Sequence, residues 1–171
     1  MTTSTPPPDT LEWLPATTHQ YLLAAAAFAC GLVGFCALLA TGRPLRYCVI
    51  GVLLTGVAFF VFMALFAHRS VARMTTKALS WAVALPAANR ADIPAALVER
   101  MIALVIVVVL TVLLRNPALP GCALGGGFGL LLTTHLMQRW QEQNHENLVV
   151  VRRPHNLLLP ERPSFYRTPG D

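Results

Sequence analysis

Residues 121–133 read GCALGGGFGLLLT, and the rest of the predicted fold follows from this stretch. Gly121, Gly125 and Gly129 recur every four residues, and Thr133 continues the row. Positions four residues apart share one face of an α-helix, so this helix carries a stripe that is almost free of side chains. Small residues of this kind let two membrane helices approach closely. The sequence therefore predicts that a second helix packs against the stripe.

A second row of small residues occurs in the first apolar segment, where Ala26, Cys30 and Gly34 follow the same spacing. We expect the two rows to face each other within one chain, which is the commoner use of such stripes. The alternative is a contact between subunits, which would give a homo-oligomer or dock the chain into a larger assembly. The first arrangement would explain the fold, and the second would mark a partner.

The composition is typical of a membrane protein. Of the 171 residues, 55% are hydrophobic and 12% are charged, and the mean hydropathy is +0.57, whereas soluble domains have roughly 25% charged residues. A chain of this length accommodates about four membrane-spanning helices of some 20 residues each. The net charge of +5 comes from 13 Lys and Arg residues scattered through the connections between apolar segments. Such scatter is typical of topology signals and argues against nucleic-acid binding.

The apolar segments predict an all-α integral membrane bundle of about four transmembrane helices, arranged as two antiparallel hairpins. One segment is short for a span, because only 14 residues separate Arg100 from Arg115. It can cross if it begins near Pro94, and the alternative is a re-entrant hairpin with the segment that follows. The predicted regions are a polar Pro-rich N-terminal segment (1–20), a first hairpin (21–67), an interfacial or cytoplasmic connection (68–100), a second hairpin (101–138), and a cytoplasmic helix extension with an extended Pro-rich tail (139–171).

The connection begins with a basic amphipathic pattern. Arg73 and Lys77 share one helical face, and Val71, Met74 and Ala78 lie largely on another. This pattern is typical of a helix that lies in the membrane interface against anionic lipid. We therefore expect Arg69, Arg73, Lys77 and Trp81 to contact the interface. The alternative is that the second helix continues out of the membrane.

The distribution of basic residues predicts the orientation of the chain. The turns after the first and third helices hold Arg43, Arg46 and Arg115, whereas the middle connection holds five basic residues and the C-terminal tail holds five more. Loops rich in Lys and Arg remain in the cytoplasm. We therefore expect a multi-pass protein of the cell inner membrane with both termini in the cytoplasm.

Two histidines are the candidate cofactor ligands. His68 ends the predicted second helix and His135 the fourth, and the predicted topology makes these helices parallel, which places both imidazoles at comparable depth. Two axial histidines at one depth can ligate a b-type haem. The more ordinary interpretation is that a histidine at a helix end interacts with the helix dipole and the headgroups. We therefore expect no cofactor, with haem b as the alternative.

Cys48 and Cys122 both lie about one helical turn inside the predicted periplasmic ends, so the sequence allows a disulfide between the two hairpins in an oxidising compartment. Burial in lipid disfavours the thiolate that forms such a bond. The default role of these two cysteines, and of Cys30 and Cys36, is that of small packing residues. Their spacing does not match a zinc site, so we expect no metal.

The sequence contains no catalytic signature. Nucleophilic triads, paired carboxylates and nucleotide-binding fingerprints are absent, and GGGFG lies within an apolar segment where it cannot cradle a phosphate. No predicted span has an ionisable residue near its centre, which argues against a transporter. We therefore expect a non-enzymatic subunit or assembly component of a larger bacterial inner-membrane complex, of the secretion, conjugation or respiratory type, with other membrane subunits and the bilayer as partners. The alternatives are a haem b- or quinone-binding anchor of an electron-transfer enzyme and a small oligomeric channel.

Overall fold

The computed structural model describes residues 12–80, 89–90, 105–152 and 164–169. Within these ranges the protein is mostly helical. The helices are α1 (Ala16–Ala40), α2 (Leu45–Lys77), α3 (Val105–Leu114) and α4 (Ala118–Asn144). The strands are β1 (Glu12–Pro15), β2 (Leu79–Ser80), β3 (Asn89–Arg90), β4 (Glu146–Arg152) and β5 (Ser164–Pro169).

Three of the helices, α1, α2 and α4, are long and apolar enough to cross a membrane. The described part of α3 is apolar but shorter than the roughly 20 residues that a span requires. Residues 101–104, where the third predicted segment begins, lie outside the described residues. The choice between a third crossing and a re-entrant hairpin therefore remains a prediction.

The connection between α1 and α2 is a tight turn. The hydroxyl and the amide of Thr41 both donate to the carbonyl oxygen of Leu38, at 2.6 and 3.1 Å, and end α1. Gly42 follows with a φ of +77°, a left-handed conformation that glycine adopts without a steric penalty. Pro44, with its φ of −56°, immediately precedes α2. The turn thus makes α1 and α2 antiparallel neighbours in sequence.

Helix α2 continues without interruption to Lys77, so the prediction of a separate interfacial helix is wrong over residues 68–77. The structure agrees with the alternative prediction, in which the second helix simply continues through these residues. Two features explain the continuity: no proline or glycine interrupts residues 57–77, and Val71 and Thr75 are buried at the end of the helix. A helix that buries these positions has to remain packed on the bundle.

Helix α4 lies at the centre of the structure. It packs along both α1 and α2, whereas α1 and α2 make few contacts with each other. Its two faces are correspondingly different: small residues line the side towards α2, and Leu124 and Gly127 meet α1. Within the described residues α4 thus lies between α1 and α2, and the arrangement of two hairpins stays a prediction.

The all-α prediction is incomplete, because five strands form a small sheet with the order β2-β5-β4-β1-β3. The central strand β4 pairs antiparallel with β1 on one side and with β5 on the other, in the registers Leu14↔Val150 and Leu148↔Arg167. The short strands β2 and β3 add to β5 and β1 in parallel. The sequence of β4, ENLVVVR, contains the β-branched residues that favour strands.

The sheet is attached to the ends of the long helices by a compact apolar core. Met137 of α4, Leu148 and Val150 of β4, Val71 of α2 and Ala16 of α1 are all buried there. The residues come from the beginning of α1 and the later parts of α2 and α4. These parts therefore lie at one end of the bundle, which we call the sheet end.

Candidate functional site

The glycine stripe of α4 packs against the backbone of α2. A β-carbon placed on Gly125 would lie 2.9 Å from the carbonyl carbon of Gly56 and 3.0 Å from the amide nitrogen of Phe60. A β-carbon on Gly121 would lie 2.7 Å from the carbonyl oxygen of Val52, and one on Gly129 would overlap the side chain of Met63. Because the numbers rise together along both helices, α2 and α4 are parallel. The stripe is occupied within the chain.

The predicted partner of the stripe is therefore wrong: Ala26, Cys30 and Gly34 do not face Gly125 and Gly129. Gly34 instead receives Pro120, and its neighbour Gly31 receives the side chain of Leu124, which approach α1 from another face of α4. Cys30 is buried and Ala26 is half-buried on α1. A signal for the true partner was present on α2, because Gly51, Thr55 and Gly56 are small residues at helical spacing.

The threonines in these contacts satisfy their hydroxyl groups inside their own helices. Buried Thr133 donates to the carbonyl oxygen of Gly129 at 2.9 Å, and Thr55 donates to that of Gly51 at 2.7 Å. Thr111 of α3, which is buried beside Gly34, donates to Val107 at 2.7 Å. Such bonds leave no polar hydrogen for another helix.

An apolar groove of about 260 Å³ follows the backbone contact between α2 and α4. Phe128 forms one side of the groove, and its ring lies 4.9 Å from Phe28 of α1 and 6.5 Å from Phe60 of α2, measured between centroids. The groove exists because glycine leaves the space beside the contact empty. It is lined by Val52, Leu53, Gly56, Val57, Phe60, Leu124, Gly125 and Phe128.

A second groove, of about 420 Å³ and partly polar, lies between α2 and α4 near the sheet end. Its lining residues are His68, Val71, Ala72, Thr75, Leu136, Arg139, Trp140 and Gln143. Val57 of the apolar groove and His68 of the polar groove are eleven residues apart on α2, as are Phe128 and Arg139 on α4. Eleven residues correspond to about three helical turns, so both grooves open on the same flank of the α2–α4 contact.

The two candidate haem ligands lie on this flank at the same level. Gly129 of α4 contacts Met63 of α2, and the two helices are parallel. His135 lies six residues after Gly129, and His68 lies five residues after Met63. Both side chains are exposed, and only His68 lines the polar groove. Haem ligation by this pair stays a hypothesis.

The predicted interfacial residues occupy the exposed surface of α2 where they are described. Arg69 and Arg73 are both exposed, and the guanidinium of Arg69 lies 5.9 Å from the ring centroid of Phe66. The side chain of Lys77 and all of Trp81 lie outside the described residues. Contact with lipid headgroups therefore remains a prediction for these four positions.

Arg167 of β5 joins the sheet to both long helices at the sheet end, and sequence reasoning did not identify it. Its guanidinium donates a hydrogen bond to the backbone carbonyl of Thr75 in the last turn of α2. It also lies 5.5 Å from the ring centroid of Trp140 and 3.6 Å from the carboxylate of Glu146. A cation beside the final carbonyls of a helix is favoured by the helix dipole.

All four cysteines are free, so the structure does not contain the disulfide between Cys48 and Cys122 that the sequence allows. The register of the helices explains the separation. Gly56 contacts Gly121, which puts Cys122 near the level of Gly56, eight residues beyond Cys48. Eight residues of helix correspond to about 12 Å, whereas a disulfide requires Cα atoms within about 7 Å.

Comparison with known proteins finds no match among family models, characterised proteins or solved structures. The fold itself defines the class: a mostly helical protein whose three long apolar helices suit a multi-pass membrane protein. Within the described residues, no group of three or more His, Cys, Asp or Glu side chains is arranged to hold a metal ion. The features that distinguish this chain are the two aligned grooves and the sheet end.

Proposed function

We propose that the protein is a non-catalytic, multi-pass component of a larger bacterial inner-membrane assembly, of the secretion, conjugation or respiratory type. Its role is to hold neighbouring subunits together through the outer face of α2. The glycine stripe contributes to this role indirectly, because it fixes α2 against α4 and so determines which face of α2 is turned outwards.

The observation that carries the proposal is the apolar outer face of α2. Only 6% of the most apolar part of α2 is buried, compared with 44% for α4. Leu54 and Leu65 are 67% and 71% exposed. Leu54 lies two residues before Gly56, and Leu65 lies two residues after Met63; Gly56 and Met63 both contact α4. Two residues turn a helix by about 200°. These leucines therefore point away from the bundle and can pack against a helix of another subunit.

The sheet end supports an assembly role for a second reason. It brings strands from the segment before α1, from the middle connection and from the segment after α4 into one layer. A layer attached to the ends of three apolar helices gives a partner outside the bilayer a defined surface to contact. The predicted orientation places this surface in the cytoplasm.

The test is site-specific photo-crosslinking of the full-length protein in its native membrane. A benzoylphenylalanine at Leu54 or Leu65 is compared with one at Leu32, which is 59% exposed on α1. We expect a discrete covalent adduct with another polypeptide from α2, and a weaker one or none from α1. Mass spectrometry of the adduct identifies the partner.

The outcome that would overturn the proposal is a chain that crosslinks only to lipid at both positions and migrates alone after mild detergent extraction. The same preparation tests the two rival functions. A Soret band in its absorption spectrum would support the haem-binding anchor, and an adduct with a second copy of the chain, together with conductance in planar bilayers, would support the oligomeric channel.

A further inference from the structure

The apolar groove and the polar groove are aligned on one flank of the α2–α4 contact. From Val57 to His68, and from Phe128 to Arg139, the distance along the helix axes is about 16 Å. The hydrocarbon core of a bilayer is roughly 30 Å thick, so one leaflet is about 15 Å thick. The two grooves are thus separated by about the thickness of one leaflet.

The chemistry of the two grooves changes along this distance. Leu53 and Val57 expose 60% and 61% of their surface beside the ring of Phe128, so the first groove offers hydrocarbon contacts alone. The second groove is lined by Arg139, Trp140 and Gln143, whose side chains all carry N–H donors. An amphipathic ligand with one apolar chain and one anionic head matches this order.

The charges at the polar groove favour an anionic head. Arg139 lines the groove and no acidic side chain lines it, while Glu142 is exposed on α4 without taking part in the lining. Basic pockets between membrane helices on the cytoplasmic side are typical sites for anionic phospholipid headgroups.

We propose that this flank binds one anionic phospholipid, with its phosphate in the polar groove and an acyl chain along the apolar groove. Arg139 contacts the phosphate, and Gln143 and the indole of Trp140 donate hydrogen bonds to the headgroup. Phe128 and Val57 flank the acyl chain. The site lies between α2 and α4, whereas Leu54 and Leu65 point away from α4, so it does not depend on the assembly role proposed above.

The test measures lipid binding to the full-length protein in detergent by native mass spectrometry. Phosphatidylglycerol is titrated against phosphatidylcholine with the same acyl chains. We expect one phosphatidylglycerol to bind about tenfold more tightly than phosphatidylcholine. Arg139→Gln is expected to remove most of this preference, and Val57→Trp, which fills the apolar groove, is expected to weaken both lipids.

The matched control is Arg73→Gln, which removes the same charge from an exposed position at the same end of the bundle but outside the groove. We expect it to change the phosphatidylglycerol affinity by less than about twofold. Equal losses of phosphatidylglycerol affinity in Arg73→Gln and Arg139→Gln would show that the lipid responds to the overall surface charge rather than to one binding site, and would overturn the proposal. Unchanged binding to Val57→Trp would also overturn it. Both Arg139 and Val57 are exposed, so the variants should fold, and their melting curves check this.

Discussion

Gly125 of α4 and Gly56 of α2 bring the backbones of two parallel helices into direct contact. A β-carbon on Gly125 would lie 2.9 Å from the carbonyl carbon of Gly56, with the amide nitrogen of Phe60 at 3.0 Å. The atoms in the way belong to the backbone, which cannot move aside without shifting the whole helix. This contact sets the register of α4 on α2 and, with it, the positions of both grooves.

Gly125→Ala should therefore destabilise the protein even though alanine favours helices. Overpacking a close contact costs about 1–3 kcal/mol, and the helix propensity of alanine offsets up to about 1 kcal/mol of that. We expect the apparent melting temperature in detergent to fall by about 3–8 °C. A thiol-reactive dye can follow unfolding once the exposed Cys36 has been replaced by serine, since Cys30 and Cys48 are buried in the native state.

The matched control for this substitution is Gly126→Ala in the same turn. A β-carbon there would lie 3.2 Å from the ring edge of Phe59, and a ring at the end of a side chain can move by the few tenths of an ångström required. We expect Gly126→Ala to melt within about 2 °C of the wild type or above it. Equal destabilisation by the two substitutions would show that the stripe is not a backbone contact.

The glycine stripe shows which parts of the fold can be predicted from the sequence. Spacing of four predicts the existence of a small-residue face and its position on α4, because that depends only on helical geometry. The sequence analysis chose the wrong partner helix for the stripe because the small residues of α2 are less regular. Gly51, Thr55 and Gly56 are interspersed with bulky residues, whereas Ala26, Cys30 and Gly34 recur every four residues. The choice between α1 and α2 depends on which bulky side chains α4 presents to each, and a single sequence does not contain that information.

The sheet was largely missed for a related reason. Only β4 has a recognisable strand pattern, because β5, with six residues, lies in the predicted Pro-rich tail and ends at Pro169. β1 has four residues, and β2 and β3 have two each. Strands this short are defined by their neighbours, which come from distant parts of the chain. The aligned grooves were missed as well, because they depend on the register between α2 and α4.

Removing the guanidinium of Arg167 should loosen β5. Charge-assisted hydrogen bonds contribute about 1.5–3 kcal/mol when buried, and the one-third exposure of this side chain reduces the expected value to about 1–2 kcal/mol. We expect Arg167→Leu to increase hydrogen exchange in Ser164–Pro169 by roughly tenfold, with little change in α1. Hydrogen exchange with mass spectrometry measures both regions in one experiment.

Two further variants distinguish shape from charge at this position. Arg167→Lys keeps the charge but loses the planar group that lies over Trp140, so we expect an intermediate effect. Thr168→Ala removes an exposed hydroxyl bonded to Asn147 at 3.4 Å and should leave exchange unchanged. An Arg167→Leu protein that exchanges like the Thr168→Ala protein would contradict the joining role of Arg167.

Cys48 and Cys122 should not form a disulfide in the folded protein. The register of α2 on α4 separates them by about 12 Å along the helix axes. A variant that keeps only these two cysteines, with a protease site inserted between them, is oxidised in membranes and then cleaved. We expect two separate fragments on a non-reducing gel, and fragments that stay joined would contradict the register set by Gly125 and Gly56.

The sheet end and the turn between α1 and α2 should lie on opposite sides of the membrane. β1 precedes α1 and pairs with β4 after α4, so the segments before α1 and after α4 lie at one end, whereas Gly42 lies at the other. Basic residues are concentrated at the sheet end, which predicts that it is cytoplasmic. A green fluorescent protein fused after the last residue should fluoresce, and alkaline phosphatase inserted after Gly42 should be active.

Exchanging the two reporters is the control and should silence both. Active phosphatase both after Gly42 and after the last residue would contradict the joining, in one sheet, of the segments before α1 and after α4. The reverse of the expected pattern would leave the fold intact and invert only its orientation.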